Sequence, residues 1–329
     1  MATVLFIGGT GEISFACVEA AARAGHTVTV LNRGRQGVAL PDSVTHLYCD
    51  LNDPQAYNVL ESRCYDVVCQ FIAFDVPQIE RDIDTFAGRC GHYIFVSSAS
   101  AYEKPPTTQV ITEAVSLRNP YWEYSQRKAD CETRLQRAHQ EDQLPITIVR
   151  PSHTYRTRLP GTVMTGDHLA WRMVNGKALI VHGNGQSLWT LTHADDLARA
   201  FTKLFGNGRA MGDAFHITSD EAHPWNHLLT QAAAALGCTA KIVPVPVPDL
   251  LQANPDWEGT LLGDKTNDTR FDNTKLRGVI GHWQCEVNLL EGLRRAAVAT
   301  RKRLGAGYTP DAATDALLDR IADVHSDYG

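Results

Sequence analysis

An α/β fold, a parallel sheet doubly wound with helices on both faces, is what this sequence predicts, and three observations carry the expectation. Residues 3–7 form a short apolar run with β-branched members, residues 8–11 make a glycine turn, and residues 13–24 space apolar and small side chains as one helix face. Strand-like and helix-like segments go on alternating through residue 150. Beyond Arg150 the pattern becomes irregular, which places any further unit in the C-terminal half.

Taken in order, a second strand is expected over residues 27–31, a third over 44–48 and a fourth over 66–70. Residues 191–205 and a strand over 214–217 are expected to return to the main sheet, with Asp195 or Asp196 capping the helix through residues 197–205. Residues 311–324, after Pro310, space apolar side chains as an amphipathic helix. In such a fold ligands bind beyond the C-terminal strand ends, where the glycine turn and Ser98 fall.

A strand, a glycine turn and a helix in that order suit a dinucleotide. Glycines let the backbone approach a pyrophosphate at a helix N-terminus, where free N–H groups and the dipole favour anions. Gly8, Gly11 and Ser14 occupy the fingerprint positions, Thr10 and Ile13 lie in the same turn and helix start, and the Glu12 carboxylate must point to solvent to avoid a phosphate. An acidic residue at the end of the second strand commonly holds the ribose 2′-hydroxyl of NAD, whereas this chain has Asn32, Arg33, Gly34 and Arg35. That favours NADP over NAD. Asp50 and Leu51 are placed near the adenine, the backbone of Phe71, Ile72 and Ala73 beneath the cofactor, and Pro151 at its far end.

Ser98, Tyr124 and Lys128 supply the chemistry. Lys128 lies one helical turn after Tyr124, so an ammonium on the same face can lower the phenol pKa from ~10 toward neutrality. A phenolate that takes a proton from a carbinol, with Ser98 on the same oxygen, readies that carbon to give hydride to a nicotinamide. As a bare pattern, Tyr-x-x-x-Lys also describes an exposed helix pair worth about 0.3 kcal/mol.

With these landmarks on the page, together with residues 50–53, Val149-Arg150-Pro151 and the Asp195-Asp196 motif, the chain resembles an extended short-chain dehydrogenase/reductase, the superfamily of NAD-dependent epimerases and dehydratases that act mainly on sugars. The resemblance spans nearly the whole chain. It implies a Rossmann-type NAD(P)-binding unit over residues 1–165, to which residues 188–218 also contribute, and a discontinuous substrate-binding lobe formed mainly by residues 166–329. It also implies that Tyr124 is the base and that Ser98 polarises the substrate oxygen.

The departures narrow the substrate. Dehydratases of that superfamily carry an acidic pair after the catalytic hydroxyl residue, where this chain has Ala99 and Ser100. Arginines that grip a nucleotide-sugar diphosphate are replaced by Trp189 and, near the Gly263-Asp264 pair, by Leu261. Without those charge-assisted contacts a smaller substrate is favoured. If Arg156 or Arg158 turns inward, an anionic substrate fits; Ser100, His153 and Trp189 are the other candidate contacts, with His153 also a candidate auxiliary proton carrier.

Composition adds limits. The 329 residues, 43% hydrophobic, suffice for a substantial core of one or two domains. Eight scattered cysteines read as reduced thiols, no segment reads as a signal peptide, no apolar run spans a membrane, and no metal-ligand spacing occurs among the 13 histidines. A cytoplasmic enzyme is therefore expected, with Trp122, Leu135 and Ala138 available either to the core or to a homodimer face. Three functions follow: an NAD(P)-dependent sugar epimerase through transient oxidation to a ketone, a reductase or dehydrogenase of a small carbonyl or alcohol, and an RNA-binding role known in one branch of the superfamily. A net charge of −6 and no basic, aromatic-interleaved run speak against nucleic acid.

Overall fold

The computed structural model describes residues 1–34, 38–53, 55–60 and 63–326, so Arg35 lies outside the described residues. The N-terminal elements are β1 (Thr3–Ile7), α1 (Glu12–Arg23), β2 (Thr27–Asn32), β3 (Thr45–Tyr48), β4 (Tyr65–Gln70), α2 (Val76–Phe86), β5 (Cys90–Val96), α3 (Glu123–Glu141) and β6 (Ile146–Pro151). After them come β7 (His153–Tyr155), α4 (Gly166–Val174), β8 (Ala178–His182), β9 (Leu188–Trp189), β10 (Leu191–His193), α5 (Ala194–Thr202) and β11 (Asp213–Ile217). The chain continues with β12 (His223–Pro224), α6 (Trp225–Ala235), β13 (Lys241–Val245), α7 (Val247–Ala253), α8 (Glu258–Thr260), α9 (Thr274–Ile280), α10 (Leu289–Gly305) and α11 (Ala312–His325).

Seven strands form one parallel sheet in the order β11-β6-β5-β4-β1-β2-β3. The direction of winding reverses between β1 and β4, which opens a crevice beyond their C-terminal ends. β1 shows why both faces are covered: Val4 and Phe6 enter one core cluster with α1 and α5, while Leu5 and Ile7 enter another with α2 and α3. A strand buried on both faces reads as a continuous apolar run, which is how residues 3–7 read in the sequence. As expected, residues 213–217 return to the sheet edge beside β6.

A third cluster, centred on Trp225, Leu229, Leu293 and Leu318, joins α4, α6, α10 and α11 around the β8-β13 pair. The helix expected over residues 311–324 is α11, and Asp311 caps it by accepting from Thr314 N at 2.8 Å.

Two local expectations are corrected. The cap of α5 is neither Asp195 nor Asp196: the His193 ring accepts from Asp195 N at 3.3 Å, while Asp196 is buried and accepts from the backbone of Glu286 and Val287. Leu135 and Ala138 are fully buried in the core beneath α3, so neither can serve a dimer face.

Candidate functional site

The turn after β1 depends on glycine. Gly8 has φ +85°, and a Cβ there would stand 2.5 Å from Ile72 Cγ2; at Gly9 it would stand 2.7 Å from Val30 Cγ2. Gly8→Ala should therefore cost about 1–3 kcal/mol of stability through overpacking and backbone strain, read from the midpoint shift in denaturant melts. Ser14, at the third fingerprint position, is buried, and its Oγ accepts from Gly11 N at 2.9 Å.

Around this turn lies a cleft of about 690 Å³ that brings together most of the expected cofactor residues: Gly8, Thr10, Gly11, Glu12, Ile13, Asn32, Arg33, Asp50, Leu51, Phe71, Ile72 and Pro151. Ala73 does not line it; its side chain is buried and its carbonyl is taken by Lys128. Asn32 ends β2 with its amide engaged on the protein, donating to Thr10 Oγ1 at 3.2 Å and accepting from Gly34 N at 2.8 Å, with His46 Nε2 2.7 Å away. Glu12 does not face solvent. Its carboxylate accepts from the backbone N–H groups of Arg156 (3.0 Å) and Thr157 (2.7 Å) and from the Thr157 hydroxyl, which ties the start of α1 to the loop after β7.

The fit of a dinucleotide rests on this cradle and on an orphaned group. Ser97 Oγ is buried in the cleft wall without a partner among the described residues, so the cleft holds an unused hydrogen-bonding hydroxyl. Gly8, Gly11, Asn32 and Arg33 would hold the nucleotide at one end, and Ser97, Ser98, Tyr124 and Lys128 would meet the other.

Ser98, Tyr124, Pro151 and Ser152 also line a second chamber of about 360 Å³, so the two hydroxyl groups stand where cleft and chamber meet. Ser98 Oγ lies 2.8 Å from Ser100 Oγ, which accepts from Ser125 Oγ at 2.9 Å; this chain of hydroxyls from the base of α3 fixes the Ser98 rotamer. Lys128 does not act on Tyr124 as expected. Its ammonium donates to the carbonyls of Ala73 (2.8 Å) and Val96 (2.9 Å) and lies over the Phe74 and Phe95 rings, and burial pulls its pKa to about 8. The Tyr124 phenol is instead held above its usual range, first by burial and then by the charge of Asp264, with Ser98 opposing.

The chamber also takes in Ser100, His153 and Trp189 from the expected substrate set. Trp189 Nε1 donates to His153 Nδ1 at 3.1 Å, and burial drives the His153 pKa to about 3. The ring is thereby held neutral at neutral pH and engaged with Trp189, an arrangement that suits a contact role. The two loop arginines line neither cavity: Arg156 pairs with Glu19 and Asp195 over the Phe15 ring, and Arg158 is exposed with its alkyl stem against Gly166. Arg150 is structural, a buried partner of Glu132 at 2.6 Å.

Sequence reasoning missed Asp264, Lys265, Trp122 and Phe271, which complete the chamber wall. Gly263-Asp264 drew notice only for the missing arginine before it, and Trp122 only as a candidate dimer or core residue. Among the described residues no cluster of metal-ligating side chains occurs, and no helix is long and apolar enough to cross a membrane.

Comparison with known proteins agrees with this geometry. A family model described as "NAD dependent epimerase/dehydratase family" matches residues 4–217. The 2′-dehydrokanamycin reductase of Streptomyces kanamyceticus is 28% identical over 246 residues, 74% of this chain and 69% of that protein. A chloroplast stem-loop binding protein of 41 kDa from Arabidopsis thaliana is 26% identical over 313 residues, 88% of this chain and 77% of that protein. Among solved structures, an epimerase of Methanothermobacter thermautotrophicus superposes with TM-score 0.77 at 17% identity, covering 93% of this chain and 94% of that one.

Proposed function

This chain belongs to the NAD-dependent epimerase/dehydratase family, and from that premise we propose that it reduces a ketone, or oxidises the matching carbinol, on a small sugar-like molecule that carries no nucleotide diphosphate. One observation carries the reading: Ser98 and Tyr124 line both the glycine-turn cleft and a chamber with no arginine among the described residues of its wall. Two observations support putting the reductase ahead of the epimerase. A bidentate cation for a diphosphate is missing from the described residues of the chamber, and a reductase is among the similar proteins.

A nicotinamide bound in the cleft would supply or accept hydride at the carbon. Everything else falls to this chain. Tyr124 Oη, protonated at neutral pH because its pKa is raised, donates to the ketone oxygen, and Ser98 Oγ holds the same oxygen. Lys128 donates to the carbonyls of Ala73 and Val96 and so ties the chain after β4 to the end of β5 beneath the cleft. The direction of the Tyr124 shift sets the pH profile: ketone reduction needs the protonated phenol and stays level through neutral pH, while carbinol oxidation needs the phenolate and climbs toward alkaline pH. Initial rates in both directions across pH 6 to 10 would check this.

In this proposal residues 1–165 and 188–218 serve the nucleotide and residues 166–329 mainly the substrate. For the nucleotide, NADP is favoured, since Arg33 lines the cleft and Asn32 is engaged elsewhere. Arg33→Ser should weaken NADPH binding roughly 10- to 100-fold, the worth of a hydrogen bond to a charged group, and leave NADH little changed in parallel titrations.

Epimerisation is the second reading, favoured by the superposition on a solved epimerase. The two part cleanly at 340 nm. A reductase consumes one NAD(P)H per product, whereas an epimerase turns over with no net change. The similarity to a stem-loop binding protein keeps RNA as an outcome to test by salt-dependent gel shift.

A further inference from the structure

Among the described residues the chamber wall contains one carboxylate, and nothing in the chemistry above uses it. Asp264 sits at the chamber with Ser98, Tyr124, Trp122 and Trp189. It is half-buried because it faces that space, yet the surrounding protein desolvates it enough to push its carboxyl up to about 6, so it is ionised at neutral pH. Its backbone carbonyl accepts from Asn267, but among the described residues no hydrogen bond or ion pair reaches its carboxylate oxygens. A carboxylate that its surroundings desolvate but that stays open to a cavity offers a ligand an acceptor with no protein donor to displace.

We propose that Asp264 selects the substrate by receiving a primary amine, held as ammonium, on the same molecule whose ketone or carbinol stands at Tyr124. The inference rests on the oxidoreductase reading of the site and names its substrate class, an amino sugar or similar amine-bearing ring. A chamber of about 360 Å³ suits a molecule of ring size, and Trp122 and Trp189 line it alongside the carboxylate.

Two lysines share the neighbourhood and do not occupy the carboxylate. Lys265 lines the chamber, but its ammonium donates to the Thr162 carbonyl and lies 6.0 Å over the Trp225 ring; Lys104 is buried and does not line the chamber. Both lower the Asp264 pKa against burial, so they keep it ionised. Tyr124 and the neutral His153 are the other titratable groups of the chamber. Because the Asp264 charge raises the Tyr124 pKa, an ammonium docked at Asp264 removes that effect and eases proton transfer. Amine recognition and readiness of the base are thereby joined.

The test uses the full chain loaded with its preferred reduced nucleotide and hexopyranose pairs that differ in one group: 2-amino against 2-hydroxy, 3-amino against 3-hydroxy, and 6-amino against 6-hydroxy. Calorimetry at pH 7.5 should show at least one amine binding 10-fold or more tightly than its hydroxyl twin. Asp264→Asn should bring that ratio to about one without changing nucleotide affinity, and Asp264→Glu should keep part of it. Equal binding within every pair, no binding by any of them, or a preference that survives Asp264→Asn overturns the proposal. Nucleotide titration of the same preparations separates the two levels: bound nucleotide without amine preference removes only the role of Asp264, whereas failure to bind NADPH or NADH removes the reading beneath it.

Discussion

Replacing Tyr124 with Phe should lower turnover by roughly 10²- to 10⁴-fold, the usual range for a positioned acid or base, with nucleotide affinity little changed. The reason is local. Tyr124 begins α3 at the meeting of cleft and chamber, its phenol keeps its proton through neutral pH, and Ser98 is held beside it by Ser100 and Ser125. Phe keeps the ring packing against Phe74 and Trp122 while removing the phenol assigned to give a proton to the substrate oxygen. Single-turnover rates with a ketone substrate would measure it. A rate within about tenfold of the parent, equivalent to ~1.4 kcal/mol in the barrier, would remove Tyr124 from the chemistry.

The second large effect is on stability. Glu132→Ala should lower the unfolding free energy by about 3–5 kcal/mol, because it leaves the Arg150 guanidinium charged and unpaired in the core. Glu132 and Arg150 are 2% and 7% exposed, three hydrogen bonds of 2.6–3.1 Å join them, and Arg150 lies over the Tyr102 ring, so the lost carboxylate is the guanidinium's one buried counter-charge among the described hydrogen bonds. The pair pins α3 to β6, the helix that carries Tyr124 to the strand that ends at Pro151. Denaturant midpoints for Glu132→Ala and for a Glu132→Leu, Arg150→Met double variant would separate the effects. The single variant should fall far below the double, and equal midpoints would show that pairing is not what matters there.

The sheet was legible because its signals are local. β1 matches the expected run, and the strands read at 27–31, 66–70 and 214–217 each differ from the structure by one residue at an end. Apolar runs and glycine punctuation act over a few residues, and no distant contact is needed to read them.

What failed depends on partners far along the chain. Glu12 was expected to avoid a phosphate by facing water, but residues 156–157 bring backbone N–H groups to it across 144 positions. Lys128 was placed correctly on the face of Tyr124, yet the carbonyls of Ala73 and Val96, at the ends of neighbouring strands, draw its ammonium away and burial lowers its pKa. Arg156 was a candidate for an anionic substrate and is spent on Glu19 and Asp195. Each miss concerns the direction of a long polar side chain, which periodicity does not encode. Asp264 went unread because its neighbours in the chamber, Tyr124 and Trp189, lie far from it in sequence.

Titration of the purified protein with NADPH, and with NADH in parallel, tests most directly whether the glycine turn of β1 and the Ser98–Tyr124 pair serve one nicotinamide nucleotide. Saturable one-to-one binding, tighter for NADPH and unaltered by Tyr124→Phe, is expected. Absence of binding by both nucleotides to the folded protein would contradict that shared role.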